Sequence, residues 1–145
     1  MPVIEHWHTH LNFPQAHPLH LGYDSAALVR DADVVLVLES DAPWFPREVE
    51  PPQHATVIQL DADPLYQRYP FRGFPTDISL TGSARLILQQ LVNAIRGVGI
   101  DPACVRERTE KWSREHDRQR TDWTRAAEGD ARRAHALAVG FAVRW

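Results

Sequence analysis

Two carboxylates, Asp61 and Asp63, follow the aliphatic run Ala55-Thr-Val-Ile-Gln-Leu60. A run of that kind predicts a strand buried in a parallel sheet. Ligands of open α/β sheets collect outside the carboxyl ends of such strands, where a carboxylate can accept a hydrogen bond from a ribose hydroxyl. Asp61 and Asp63 are therefore the candidate cofactor-binding residues. Capping of the Asp-Ala-Asp-Pro turn accounts for the same two acids and is the simpler reading. No glycine-rich phosphate loop occurs in the sequence, so no diphosphate cradle is evident.

His6, His8 and His10 alternate and would share one face of a strand, with His17 and His20 close behind. Imidazoles can ligate zinc at such spacing. Only Glu5 stands near them to complete a site, so no metal ligands are assigned. His17 and His20 read better as loop residues packed under a turn at Gly22. Neither a Gly-x-Ser-x-Gly elbow, nor His-Glu-x-x-His, nor Cys-x-x-Cys is present, and no catalytic residue is assigned. Cys104 is the single cysteine. It cannot form a disulfide within the chain and fits a reducing, cytoplasmic setting. Trp44 reads as a core or interface residue.

These side chains need elements to hold them. Met1 to Ile4 is a short strand or the end of one. Asn12 to Gly22, with two prolines and a glycine, is a loop. Asp24 or Ser25 can cap a short helix through Ala26 to Arg30. Asp33-Val-Val-Leu-Val-Leu38 is a continuous aliphatic run, the mark of a strand buried on both faces. Asp41 to His54 holds four prolines and reads as a loop or a short helical turn. Asp77-Ile-Ser-Leu80 is a further short strand. Gly82-Ser83 then opens a helix whose apolar positions Leu86, Ile87, Leu91, Val92 and Ile95 recur at helical spacing, and Gly97 or Gly99 ends it.

After Asp101-Pro102 the acid-first pairs Glu107/Lys111 and Glu110/Arg114 support a second, longer helix through about Ala127. Trp112, His116, Gln119 and Trp123 share one stripe of it and require a surface to pack on. The run from Ala134 to Trp145 is apolar and has no readable purpose.

Strands alternating with helices predict an α/β, Rossmann-like parallel sheet covered on both sides, with a helical tail. The division expected is 1–97 for the sheet domain and 98–145 for the charged helical tail. With 145 residues, the chain can build one domain core but not two. Net charge is -3, split between an acidic first hundred residues and a nearly balanced remainder. Such a balance fits a solvated helix rather than a nucleic-acid-binding arm. No apolar run approaches the ~20 residues of a membrane helix, so neither nucleic acid nor membrane is an expected partner.

The segments Asn12-Phe-Pro14, His17-Pro-Leu-His-Leu-Gly-Tyr-Asp24 and Ala32-Asp-Val-Val-Leu-Val-Leu-Glu-Ser-Asp41 occur in that order, followed by Ala55 to Pro64 and Asp77 to Gly82. Together they resemble the central domain of thiamine-diphosphate-dependent enzymes of the acetolactate synthase and benzoylformate decarboxylase type. The resemblance covers about Pro2 to Ile95. Trp112 to Trp123 looks, more weakly, like the linker toward the family's cofactor domain.

The resemblance implies a parent that decarboxylates or carboligates a 2-oxo acid using thiamine diphosphate and Mg2+. It also implies, in flavin-using members, an FAD whose adenosine end lies against the turn matching Asp61 and Asp63. The family's activating glutamate and its metal-holding Gly-Asp-Gly segment belong to its other two domains, and no Gly-Asp-Gly occurs here. Family members precede the segment matching Pro2 with a strand and a helix. The expectation is therefore a truncated central domain that lacks its first strand-helix unit and is inactive alone. Other domains or subunits of the parent are its expected partners, and homo-oligomers the expected assembly. A stand-alone Rossmann-like nucleotide-binding module is the alternative, against which the absent glycine-rich turn counts.

Overall fold

The computed structural model describes residues 1–6, 12–64 and 73–142, with side chains through Asp130. Its elements are a short helix α1 (Ala26–Val29), strands β1 (Val34–Leu38), β2 (Thr56–Asp61) and β3 (Ile78–Thr81), then helices α2 (Ala84–Gly97) and α3 (Pro102–Ala142). The strands form one parallel sheet in the order β1-β2-β3. Val34 pairs with Thr56, and Ile58 with Ile78. The chain is thus of mixed α/β architecture. A separate parallel bridge joins Val3 to His20.

Side chains alternate across a strand, so the register sorts the sheet into two faces. Val35, Val37, Val57, Gln59 and Ser79 share one face. Against it pack Ala26 and Val29 of α1, Trp44 and Val49 of the β1–β2 connection, and Phe74 before β3. Trp44 is 1% exposed and meets the Phe74 ring edge-on at 5.3 Å, a favoured aromatic geometry.

The other face carries Val34, Leu36 and Leu38, with Ile58, Leu60, Ile78 and Leu80 in the same rows. Leu60 is fully buried there, but Val34, Leu38 and Ile78 are 45%, 42% and 46% exposed. The expectation that Val34–Leu38 is buried on both faces is therefore corrected. Every described connection that covers β1 lies on the Trp44 side. On the outer face of β1, Val34 and Leu38 are exposed and Leu36 is half-buried.

Local chemistry explains the boundaries. Asp24, rather than Ser25, caps α1, since its Oδ1 accepts the Ala26 N–H at 2.9 Å. Helix α2 ends where Val98 N–H bonds back to Ile95 and Gly99 takes φ +73°, a left-handed value that glycine adopts without penalty. Helix α3 begins with Asp101 Oδ1 accepting the Ala103 N–H at 2.9 Å. It runs past Gly129 to Ala142, well beyond the expected end near Ala127. One glycine costs a helix only about 1 kcal/mol relative to alanine, too little to terminate one supported on both sides.

Candidate functional site

The carboxyl ends of the strands come together as expected of parallel neighbours. Asp61 closes β2 opposite Thr81. Its Oδ1 accepts the Asp63 N–H at 3.0 Å and its carbonyl accepts the Gly82 N–H at 2.9 Å. One oxygen of the Asp61 carboxylate is thus already engaged in the turn, as turn capping requires. Glu39, exposed at the end of β1, donates its N–H to the Leu60 carbonyl at 2.9 Å. Glu39 has φ 45°, a left-handed value uncommon for a residue with a side chain. This edge of the sheet is acidic.

A second polar arrangement lies at the N-terminal arm. Val3 N–H donates to Leu19, Leu21 N–H donates to Val3, and Glu5 N–H donates to Gly22. These bonds carry the Glu5 side chain inward, where it is buried. Its Oε1 accepts the N–H groups of Asn12 at 2.8 Å and Phe13 at 3.1 Å, and its Oε2 lies 3.0 Å from His20 Nε2. Gly22 N–H points at the other His20 ring nitrogen, Nδ1, from 3.4 Å. Nδ1 therefore acts as acceptor, and Nε2 carries the proton donated to Glu5. Phe13 stacks on the His20 ring at 6.3 Å, and Tyr23 meets it edge-on at 5.5 Å.

Burial alone would push the Glu5 carboxyl up, and it is the largest single influence. The bonds from Asn12, His20 and Phe13 together outweigh it and hold the group below the ordinary glutamate value.

Helix α3 docks on this arm. His116, itself buried, donates from Nδ1 to the His20 carbonyl at 2.6 Å. Trp123 lies against Gly22, where an added Cβ would sit 2.9 Å from the indole, and it stacks on Tyr23 at 6.2 Å. Gly22 also takes φ +81°. Both the conformation and the close approach demand glycine. His116, Gln119 and Trp123 of the stripe thus rest on the His20–Tyr23 segment.

The remaining histidines go separate ways. His17 Nδ1 accepts the Leu19 N–H at 3.1 Å, as a loop residue would. His6 Nδ1 lies 3.2 Å from the Tyr23 carbonyl and 3.3 Å from Ser25 Oγ. His8 and His10 lie outside the described residues. Among the described residues no three His, Cys, Asp or Glu side chains gather as metal ligands, and no helix is long and apolar enough to cross a membrane. Cys104 is exposed.

The Glu5–His20–His116 node was missed as a unit by the sequence reading. Its available signals were a lone acid in an apolar start and a histidine on the tryptophan stripe. Chemically the node holds and orients. Each of its hydrogen bonds ends on another part of the same chain, and no nucleophile stands beside either imidazole among the contacts described. No family model, curated protein or solved structure matches the chain.

Proposed function

We propose that the chain is a non-catalytic, Rossmann-like scaffold unit of the kind found in the middle of thiamine-diphosphate-dependent enzymes, whose parent decarboxylates or carboligates a 2-oxo acid. The observation that carries this reading is the pairing pattern. A parallel Val3–His20 bridge stands apart from a parallel β1-β2-β3 sheet. Parallel pairing of this kind is what doubly wound sheets use. The bridge is made by the same His17-to-Asp24 segment that carries much of the family resemblance. The partners of this unit are the other domains or subunits of the parent enzyme.

The donor set at the strand ends does not fit the diphosphate of thiamine diphosphate. A diphosphate needs a cation or a cradle of N–H groups. The strand ends present Glu39, Asp61 and Asp63 instead. The resemblance would set an adenosine ribose against the Asp61–Asp63 turn. No step is assigned to the chain itself.

Calorimetric titration tests this reading. Thiamine diphosphate with Mg2+ is expected to give no saturable heat, and the chain no carbon dioxide from pyruvate. Magnesium-dependent binding at micromolar affinity would overturn it. ADP titrated alongside distinguishes the alternative, since tight ADP binding lost in Asp61→Ala would make the chain a nucleotide-binding module.

A further inference from the structure

We infer that the outer edge of β1 is a docking site for an extended, apolar segment of another polypeptide with basic residues at its ends. The inference rests on the sheet edge and stands independently of the thiamine-enzyme reading.

In a parallel ladder alternate residues bond to the same neighbour. Thr56 N–H donates to the Asp33 carbonyl and Glu39 N–H donates to the Leu60 carbonyl. Odd-numbered residues of β1 therefore serve β2, and Val34, Leu36 and Leu38 direct their backbone groups outward. Asp33 Oδ1 accepts the Val34 N–H at 3.0 Å. No other strand of the described residues pairs with this edge. An edge of this kind is a template for strand addition.

The adjoining sheet face is apolar. Val34, Leu38 and Ile78 lie open on it, and α2 leaves Leu86, Val92 and Ile95 uncovered as well.

Charge selects the occupant. Asp33 precedes β1 and Glu39 follows it, both exposed. A second copy pairing antiparallel about Leu36 would set Asp33 against Glu39 at both ends, and like charges across a ladder destabilise it. A second copy pairing parallel would set Asp33 beside Asp33. A strand flanked by Lys or Arg meets opposite charge at each end instead. The edge is thus protected against its own kind and open to a basic-flanked guest.

The test uses the full chain and a fluorescein-labelled peptide, Lys-Val-Val-Leu-Val-Leu-Lys, followed by anisotropy. Saturable binding is expected. Replacing both lysines by glutamates should weaken it about tenfold at low salt, with the gap closing as salt screens the charges. N-methylation of all five Val and Leu amides should abolish it. Leu36→Pro removes one outward N–H while leaving the bonds to β2, a substitution edge strands accept, and should also abolish binding. Absence of binding, equal affinity of the Lys and Glu peptides, or undiminished binding of the methylated peptide would overturn the inference. So would a dimer of the chain alone that Leu36→Pro dissolves, since the occupant would then be a second copy.

Discussion

Two regions of this molecule are equally buried and held by different physics. Around Trp44, the aliphatic side chains Val29, Val37, Val49 and Val57 fill space by packing, with the buried Gln59 on the same sheet face. Around Glu5 and His20, nearly every contact has a direction. A carboxylate takes two backbone N–H groups and an imidazole, and a second imidazole pins the carbonyl of the first. The apolar cluster draws on the area removed from water, which is nondirectional. The polar node gains little net energy from each bond but loses heavily when one partner is removed. The apolar region can therefore stabilise, while the polar one chooses which segments meet. It joins the N-terminal arm, the 12–22 loop and α3, which are far apart in sequence.

The comparison can be broken first at the apolar end. Trp44→Ala should cost about 4 kcal/mol, the usual range for emptying a buried aromatic site. Urea denaturation checks this, and the loss should be the same at pH 7 and pH 5, since no group of the cluster titrates. Glu5→Gln should cost less, about 2 kcal/mol, because its amide nitrogen would face the His20 Nε2–H and leave a buried donor unpaired.

That second variant also sharpens the contrast through pH. Glu5 is more acidic folded than its ordinary value of 4.5. Its contribution is therefore fully present above the unfolded pKa and is lost as pH falls through the lower, folded one. The acid limb of stability against pH should flatten in Glu5→Gln and keep its slope in Trp44→Ala. The smallest effect belongs to the open face of the sheet. Leu38→Lys should change stability by no more than about 0.5 kcal/mol, as the side chain is 42% exposed and a lysine there can carry its ammonium out to solvent. A loss near that of Trp44→Ala would mean that this face is covered in the folded protein.

The sequence disclosed the first region far better than the second. Val-Val-Leu-Val-Leu in β1 and Thr-Val-Ile-Gln-Leu in β2 announce parallel strands, because aliphatic runs without alternation suit little else. The same runs could not say which face would be covered, since that depends on where the connections pass. Hence Val34 and Leu38 were misread as buried. Glu5 was illegible for another reason. Its bonds to Asn12 and Phe13 go to backbone N–H groups, which every residue but proline possesses and no sequence marks. His20 was placed correctly under the Gly22 turn, but its bond to an acid 15 residues earlier has no signature. The stripe from Trp112 to Trp123 was readable through its spacing, and so was its need for a surface. That the surface would be His20 to Tyr23 was not. Asp61 and Asp63 fall at a strand end as read, and one Asp61 oxygen is occupied by the turn itself.

Helix α3 is a lever. It is seated between His116 and Trp123, and its backbone continues to Ala142. At a rise of 1.5 Å per residue, the backbone from Trp123 to Ala142 is about 28 Å long. A tilt of about 5° at the seat would displace the far end by about 2.5 Å over that length. Gly22 is the fulcrum, and the gap between its Cα and the Trp123 ring admits no methyl group. A change of helix direction at Gly22 is thus magnified with distance along the helix.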